Sequence, residues 1–229
     1  MDNEGPEKAP SAQLALDLPV QPSFRREDFL PAPSNRAALE MIDQWPNWPD
    51  STLLLVGPAG SGKSHLAAIW ARKAGAAVTS GVPSVESVVT AKPPALLIDD
   101  VDRIADETAL FHLLNLTREN NIFLLMTACG PPRAETVRLP DLLSRLRRAP
   151  LVEIGAPDDE LMRVALEKLF RDSQLSVEPS LIDYVALRLE RSLGAARAFV
   201  RNVDQEALAR GRRVTRALAA EVLERLREP

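Results

Sequence analysis

At 229 residues, with 45% apolar and 26% charged side chains, the chain can hold one large domain, or one plus a small appendix. A net charge of −4 excludes a surface that is basic throughout, and a single cysteine, Cys129, excludes an internal disulfide framework and suits a reducing cytoplasm. No apolar run is long enough to span a membrane, and the start, MDNEGPEKAP, has no apolar stretch of a secretory signal; two distant histidines and one cysteine make no zinc site.

Residues 1–22 are rich in Pro, Ala, Glu and Gln without a useful period and are expected to form a disordered tail. After an irregular stretch holding Phe24, Phe29, Pro31 and Pro33, residues 35–44 place Ala38, Leu39, Met41 and Ile42 on one helical face, stopped by Trp45-Pro46. Short apolar strands then alternate with helices. Strands are predicted over 53–56, 76–79, 96–98, 122–127 and 151–154, and helical segments over 65–74, 84–90, 107–119 and 141–146. This pattern predicts an α/β fold with a five-stranded parallel sheet covered on both faces. Beyond Pro157 the strands stop, and 158–172, 179–191, 193–210 and 215–227 read as helices, with Pro179 at a first helical position and Thr215 as an N-cap. The expected division is a tail over 1–22, an α/β domain over 23–156 and a small all-helical lid over 157–229.

The strongest signal is Gly57-Pro58-Ala59-Gly60-Ser61-Gly62-Lys63-Ser64, followed by His65, between a predicted strand and a predicted helix. Glycines at this spacing let backbone N–H groups curl around phosphates at the positive end of the helix. Lys63 would sit on the β- and γ-phosphates, and the Ser64 hydroxyl would hold Mg²⁺. A second signature is Leu96-Leu97-Ile98-Asp99-Asp100, a strand ending in two carboxylates. Asp99 is the candidate for the metal shell and Asp100 for orienting a hydrolytic water, although both could simply cap the next turn. Two arginine groups, Arg145, Arg147 and Arg148, then Arg210, Arg212, Arg213 and Arg216, read either as solvated faces or as partner or phosphate surfaces.

The segments LLLVGPAGSGKSHLA, ALLIDDVDRI and LPDLLSRL, in this order and followed by a helical region, resemble AAA+ ATPases and, more specifically, the bacterial replication initiator DnaA and its shorter relatives. The resemblance covers roughly residues 24–229. The initiator carries a further helix-turn-helix DNA-binding domain, whereas this sequence stops at Pro229. Gln13-Leu14-Ala15-Leu16-Asp17-Leu18 looks like the peptide by which proteins dock on the DNA sliding clamp, Gln13 offering an amide and Leu14, Leu16 and Leu18 apolar anchors. Both features are similar to the regulatory inactivator of DnaA, the Hda or HdaA family.

That resemblance implies a negative regulator of replication initiation, cytoplasmic, with ADP or ATP and Mg²⁺ as ligands. It implies as partners the initiator DnaA and the β-subunit sliding clamp, with DNA contact mainly through the clamp. Self-association stays open. Arg145 matches the family's arginine finger, which would act in trans on the initiator's ATP. Thr127 is the polar residue near the family's phosphate-sensor position, where Cys129 replaces an acidic residue, and the arginine of the lid sensor falls on Arg197 or its position on Gly194. Weak sensors and the short Asp100 imply little intrinsic ATPase activity. A self-contained ATPase, such as a helicase loader or a transposition-type ATPase, is the rival reading.

Overall fold

The computed structural model describes residues 24–79 and 81–226. Five parallel strands, β1 (Thr52–Val56), β2 (Ala77–Thr79), β3 (Ala95–Ile98), β4 (Phe123–Ala128) and β5 (Leu151–Glu153), lie in the order β2-β3-β4-β1-β5. β4 separates β1 from β3, pairing Leu55 with Thr127 on one side and Ile98 with Met126 on the other. The carboxyl ends of β1 and β3 are thereby held on either side of the end of β4.

Strand alternation sorts the apolar residues onto two faces. Leu53, Leu55, Leu97, Leu125 and Val152 face α1 (Arg36–Asp43) and α2 (Lys63–Ala74). Leu54, Val56, Leu96, Ile98, Leu124 and Met126 face α3 (Val85–Ala91), α4 (Glu107–Glu119) and α5 (Pro140–Arg148). All five β1 residues are buried, as a central strand covered on both faces requires. Removing such a side chain, as in Leu55→Ala, costs about 2–5 kcal/mol. On the first face Trp48 stacks on Trp70 with centroids 5.2 Å apart, and the Trp48 indole N–H donates to the Met41 carbonyl at 2.7 Å.

Four more helices, α6 (Asp159–Asp172), α7 (Pro179–Ala186), α8 (Leu193–Arg210) and α9 (Arg216–Arg225), share a separate core around Met162, Phe170, Val185, Phe199 and Val222. Three of their starts are capped by side chains: Asp158 accepts from Leu161 N, Ser192 from Ala195 N and Thr215 from Leu218 N, while α7 begins at Pro179 without a side-chain cap. α7 is shorter than the periodicity predicts. It ends at Ala186, and two amides, of Arg188 and Leu189, share the Val185 carbonyl before the chain extends at Ser192. None of the described helices is long and apolar enough to cross a membrane.

Candidate functional site

The loop between β1 and α2 is built for close backbone approach. Gly60 and Gly62 take φ of +70° and +108°, conformations that side-chain-bearing residues rarely adopt. Lys63 is buried, and its ammonium donates to the loop carbonyls of Gly57 at 2.7 Å and Pro58 at 3.0 Å. Ser61 is also buried, and its hydroxyl has no hydrogen-bond partner. Pro58, Ala59 and Ser64 are exposed. The first amides of α2 precede any helical carbonyl that could accept from them. A folded-back ammonium and a turn of amides without helical acceptors form a cradle for a polyphosphate; one incoming anion would satisfy both.

Across the sheet, β3 is followed directly by Asp99 and Asp100, both half-buried. The Thr127 hydroxyl, fully buried on β4, donates to Asp99 Oδ1 at 2.5 Å and accepts from the Asp100 amide at 2.8 Å. Both capacities of the hydroxyl are used in joining the carboxylate pair to β4. Asp100 has φ of +54°, and its carboxylate lies 3.5 Å from Arg103. Asp102 accepts from the Cys129 amide at 3.1 Å, fixing the turn after β4. Burial and the Asp102 carboxylate push the Cys129 thiol above its ordinary pKa, so it stays protonated at neutral pH. A cleft of about 530 Å³ opens beside the pair, lined in part by Gly81, Val82, Asp99, Asp100 and Arg103.

The helical unit rests on the glycine loop. The Leu193 amide donates to the Gly60 carbonyl at 2.8 Å, and a Cβ added at Gly60 would stand 1.9 Å from Ser192 Oγ. Gly194 lies in the same contact, its own added Cβ 3.9 Å from Gly60 Cα. Of the two candidate sensor positions, Gly194 is therefore the one set against the loop. Arg197, one turn further along α8, has its guanidinium 6.0 Å from the Phe24 ring centroid. Its pKa is lowered by burial.

Residues 24–29 strap the two units together, a role that sequence patterning does not reveal. Phe24 and Phe29 each hold the His65 ring at 5.4 Å, and His65 Nε2 contacts the Arg25 carbonyl at 2.8 Å. His65 is thus packed under this strap. Burial lowers its pKa against the opposing pull of the Arg25 carbonyl, so it is neutral at pH 7. Asp28 pairs with Lys168 of α6 at 2.8 Å, and Arg26 with Asp43 of α1 at 2.8 Å. The two carboxylates of Asp172 and Asp28 raise the Lys168 pKa.

Arg145 lies apart from this cluster, half-buried on α5, with its guanidinium 5.2 Å from the centroid of Phe111 on α4. It forms no ion pair among the described residues. Arg147 and Arg148, on the same helix, are exposed. Gln13, Leu14, Leu16 and Leu18 lie outside the described residues.

A glycine loop between β1 and α2, carboxylates at the end of β3, this strand order and a helical unit seated on the loop define an AAA+ fold. No family model matches the chain. It is 25% identical over 215 residues to the chromosomal replication initiator protein DnaA of Bacteroides thetaiotaomicron, covering 81% of this chain and 46% of that protein. The chain thus spans about half the length of this curated relative. Domain III of Thermotoga maritima DnaA superimposes with a TM-score of 0.75 at 19% identity, covering 93% of this chain and 100% of that one. AMPPCP-bound DnaA from Aquifex aeolicus follows with a TM-score of 0.63 at 18% identity, over 79% of this chain and 64% of that one. The chain thus has the AAA+ fold of DnaA domain III and is similar in sequence to DnaA.

Proposed function

We propose that this chain is a nucleotide-bound, cytoplasmic negative regulator of replication initiation that completes the reaction centre of a neighbouring initiator molecule. The Gly57–Ser64 loop takes ADP or ATP. The position of Lys63 supports this, as does the AMPPCP bound by the Aquifex relative. Ser64 and Asp99 would hold Mg²⁺, which neutralises charge on the terminal phosphates when bound. In this reading residues 23–156 form the nucleotide-binding domain and 157–229 its lid, and the nucleotide sets the angle between them.

The observation that carries the proposal is Arg145. A guanidinium braced over an aromatic ring, uncommitted to any described carboxylate, is available to a phosphate on another molecule. Charge growing on the initiator's γ-phosphate is what such a group neutralises, with accelerations of about 10³–10⁵. Asp100 engages Arg103, which supports weak turnover at the chain's own loop. The peptide around Gln13, Leu14, Leu16 and Leu18 docks on the sliding clamp and raises the local concentration of the regulator beside the initiator. Replacing Gln13, Leu16 and Leu18 by alanine tests the tether: co-elution with the clamp is lost and the melting temperature unchanged, whereas persistent co-elution places docking elsewhere.

The intact Asp99–Thr127–Asp100 network favours a second reading, a self-contained ATPase that oligomerises and places Arg145 in the loop site of its own neighbour. Steady-state kinetics of the isolated chain separates the two. ATP turnover that needs no partner, rises with protein concentration and vanishes in Arg145→Ala selects the second.

A further inference from the structure

Two side chains on one face of α4 grip α5. Glu107, at the first position of α4, accepts from the Arg138 amide at 3.0 Å and from the Leu139 amide at 2.6 Å. One turn further along α4, the Phe111 ring faces the Arg145 guanidinium. Residues four apart share a helical face, so both contacts come from the same side of α4. The first fixes where α5 begins, and the second meets it towards its end.

Glu107 is not needed to cap its own helix. The N-cap of α4 is Asp106, whose side chain accepts from the Ala109 amide at 2.8 Å. α5 has no side-chain cap of its own: Leu139 stands at the N-cap position, and Pro140 at the first helical position has no N–H. The two amides that lead the chain into α5 find their acceptor across the gap, on α4. Oε1 serves Arg138 and Oε2 serves Leu139, a bidentate hold that fixes direction as well as distance. The same two bonds, with Arg138 first, keep the Glu107 carboxyl below the usual carboxylate range, so it is charged and accepting at neutral pH.

Apolar packing leaves the roll of α5 less defined. Leu139, Leu142 and Leu146 form a single stripe at spacings of three and four, set against the face that holds Leu110, Leu113 and Leu114. A single stripe resists lifting of the helix more than rotation about its axis. Arg145, next to Leu146, swings with that rotation. Side-chain ends lie about 5–6 Å from a helix axis, so a roll of roughly 10° carries one about 1 Å.

We propose that Glu107 is a positioning residue for Arg145: by fixing the start and roll of α5 from α4, it aims the guanidinium at another molecule's ATP. The catalytic consequence rests on the reading of Arg145 given under the proposed function; the hold on α5 does not.

The test pairs stimulated phosphate release from ATP-loaded initiator with a nuclear magnetic resonance signal of Arg145. Glu107→Ala lowers the maximal rate by about tenfold or more at an unchanged half-saturating concentration, an ångström of misplacement costing up to about 10²-fold. Glu107→Gln, which keeps one acceptor oxygen, falls between it and the wild type. In isotopically labelled protein the Arg145 Nε–H resonance, identified by its loss in Arg145→Ala, stands apart from those of the exposed Arg147 and Arg148 through the Phe111 ring current. It moves towards them in the same order of variants. Circular dichroism and ADP calorimetry check folding, and Glu107→Gln carries the comparison if Glu107→Ala fails either. An Arg145 resonance and a maximal rate both unchanged in the variants overturn the proposal. So does a raised half-saturating concentration at unchanged maximal rate, which marks Glu107 as a partner contact. Equal release by the wild type and Arg145→Ala strikes the reading of Arg145 instead, and the Arg145 resonance alone then decides whether Glu107 sets its position.

Discussion

The guanidinium of Arg145 lies 5.2 Å from the centroid of the Phe111 ring, joining α5 to α4 through a cation and an aromatic face. Such contacts contribute about 0.5–1 kcal/mol at exposed sites, enough to hold a side chain in one direction but not to trap it. Phe111→Leu keeps much of the packing and removes the ring. The expected outcome is a several-fold loss in the ability to stimulate a partner's ATP hydrolysis, with nucleotide affinity at the Lys63 loop unchanged by calorimetry. Unchanged stimulation would show that the ring does not position Arg145.

The glycine loop carries two separable demands. Lys63→Ala should abolish ADP binding in calorimetry and remove the roughly 2.7 kcal/mol of stabilisation that a ligand at a hundred times its Kd provides. Gly60→Ala acts through packing: its Cβ would meet Ser192 Oγ at 1.9 Å and Ser192 Cβ at 2.9 Å, at a φ of +70°. α8 must then move off the loop, at a cost of about 1–3 kcal/mol. Urea denaturation followed by tryptophan fluorescence checks this; a shift below about 0.5 kcal/mol would mean the lid contact is loose.

Thr127 holds the carboxylate pair by one hydroxyl. Thr127→Val preserves shape but leaves the Asp100 amide without its acceptor and Asp99 without its donor. A loss of about 1–3 kcal/mol is expected, with Thr127→Ser recovering most of it. Equal losses in both variants would point to packing of the methyl group instead.

His65 makes stability depend on pH in a defined direction. Its folded-state pKa lies below the ordinary 6.5, chiefly through burial under Phe24 and Phe29, with Arg197 and Arg72 adding repulsion and Asp28 opposing them. Well above pH 6.5 neither folded nor unfolded chain carries the charge, and the residue contributes nothing to the dependence. As pH falls below 6.5 the unfolded chain takes up a proton that the folded chain resists. Stability therefore declines until the lower folded pKa is passed, then levels off. Melting temperatures from about pH 7.5 to pH 5.5 should fall more steeply for the wild type than for His65→Asn. Parallel curves would contradict this.

Much of the fold was legible because local and long-range signals agreed. The helices Glu107–Glu119 and Leu193–Arg210 match their predicted bounds; in the structure Asp106 and Ser192 cap their starts and Gly211 ends the second at φ of +58°. The five strands were visible as short apolar runs, but not the placement of β4 between β1 and β3, which depends on pairing between distant segments. The glycine loop and the Asp99–Asp100 pair were legible as motifs. The contact of Ser192, Leu193 and Gly194 with Gly60 was not, nor the strap formed by Phe24, Asp28 and Phe29 around His65. These are tertiary meetings of residues with no common period. The predicted extension of α7 to Arg191 failed for the same reason: the chain must leave the helix after Ala186 for Ser192 to reach both its cap and the loop.

The central claim is that Arg145 serves another molecule's ATP. Phosphate release from ATP-loaded initiator, mixed with this chain and with clamp loaded on DNA, tests it most directly. The account predicts rapid release with the wild type and a loss of about 10³-fold or more with Arg145→Ala, the variant still folding, binding ADP and docking on the clamp. Release by Arg145→Ala at the wild-type rate would contradict it.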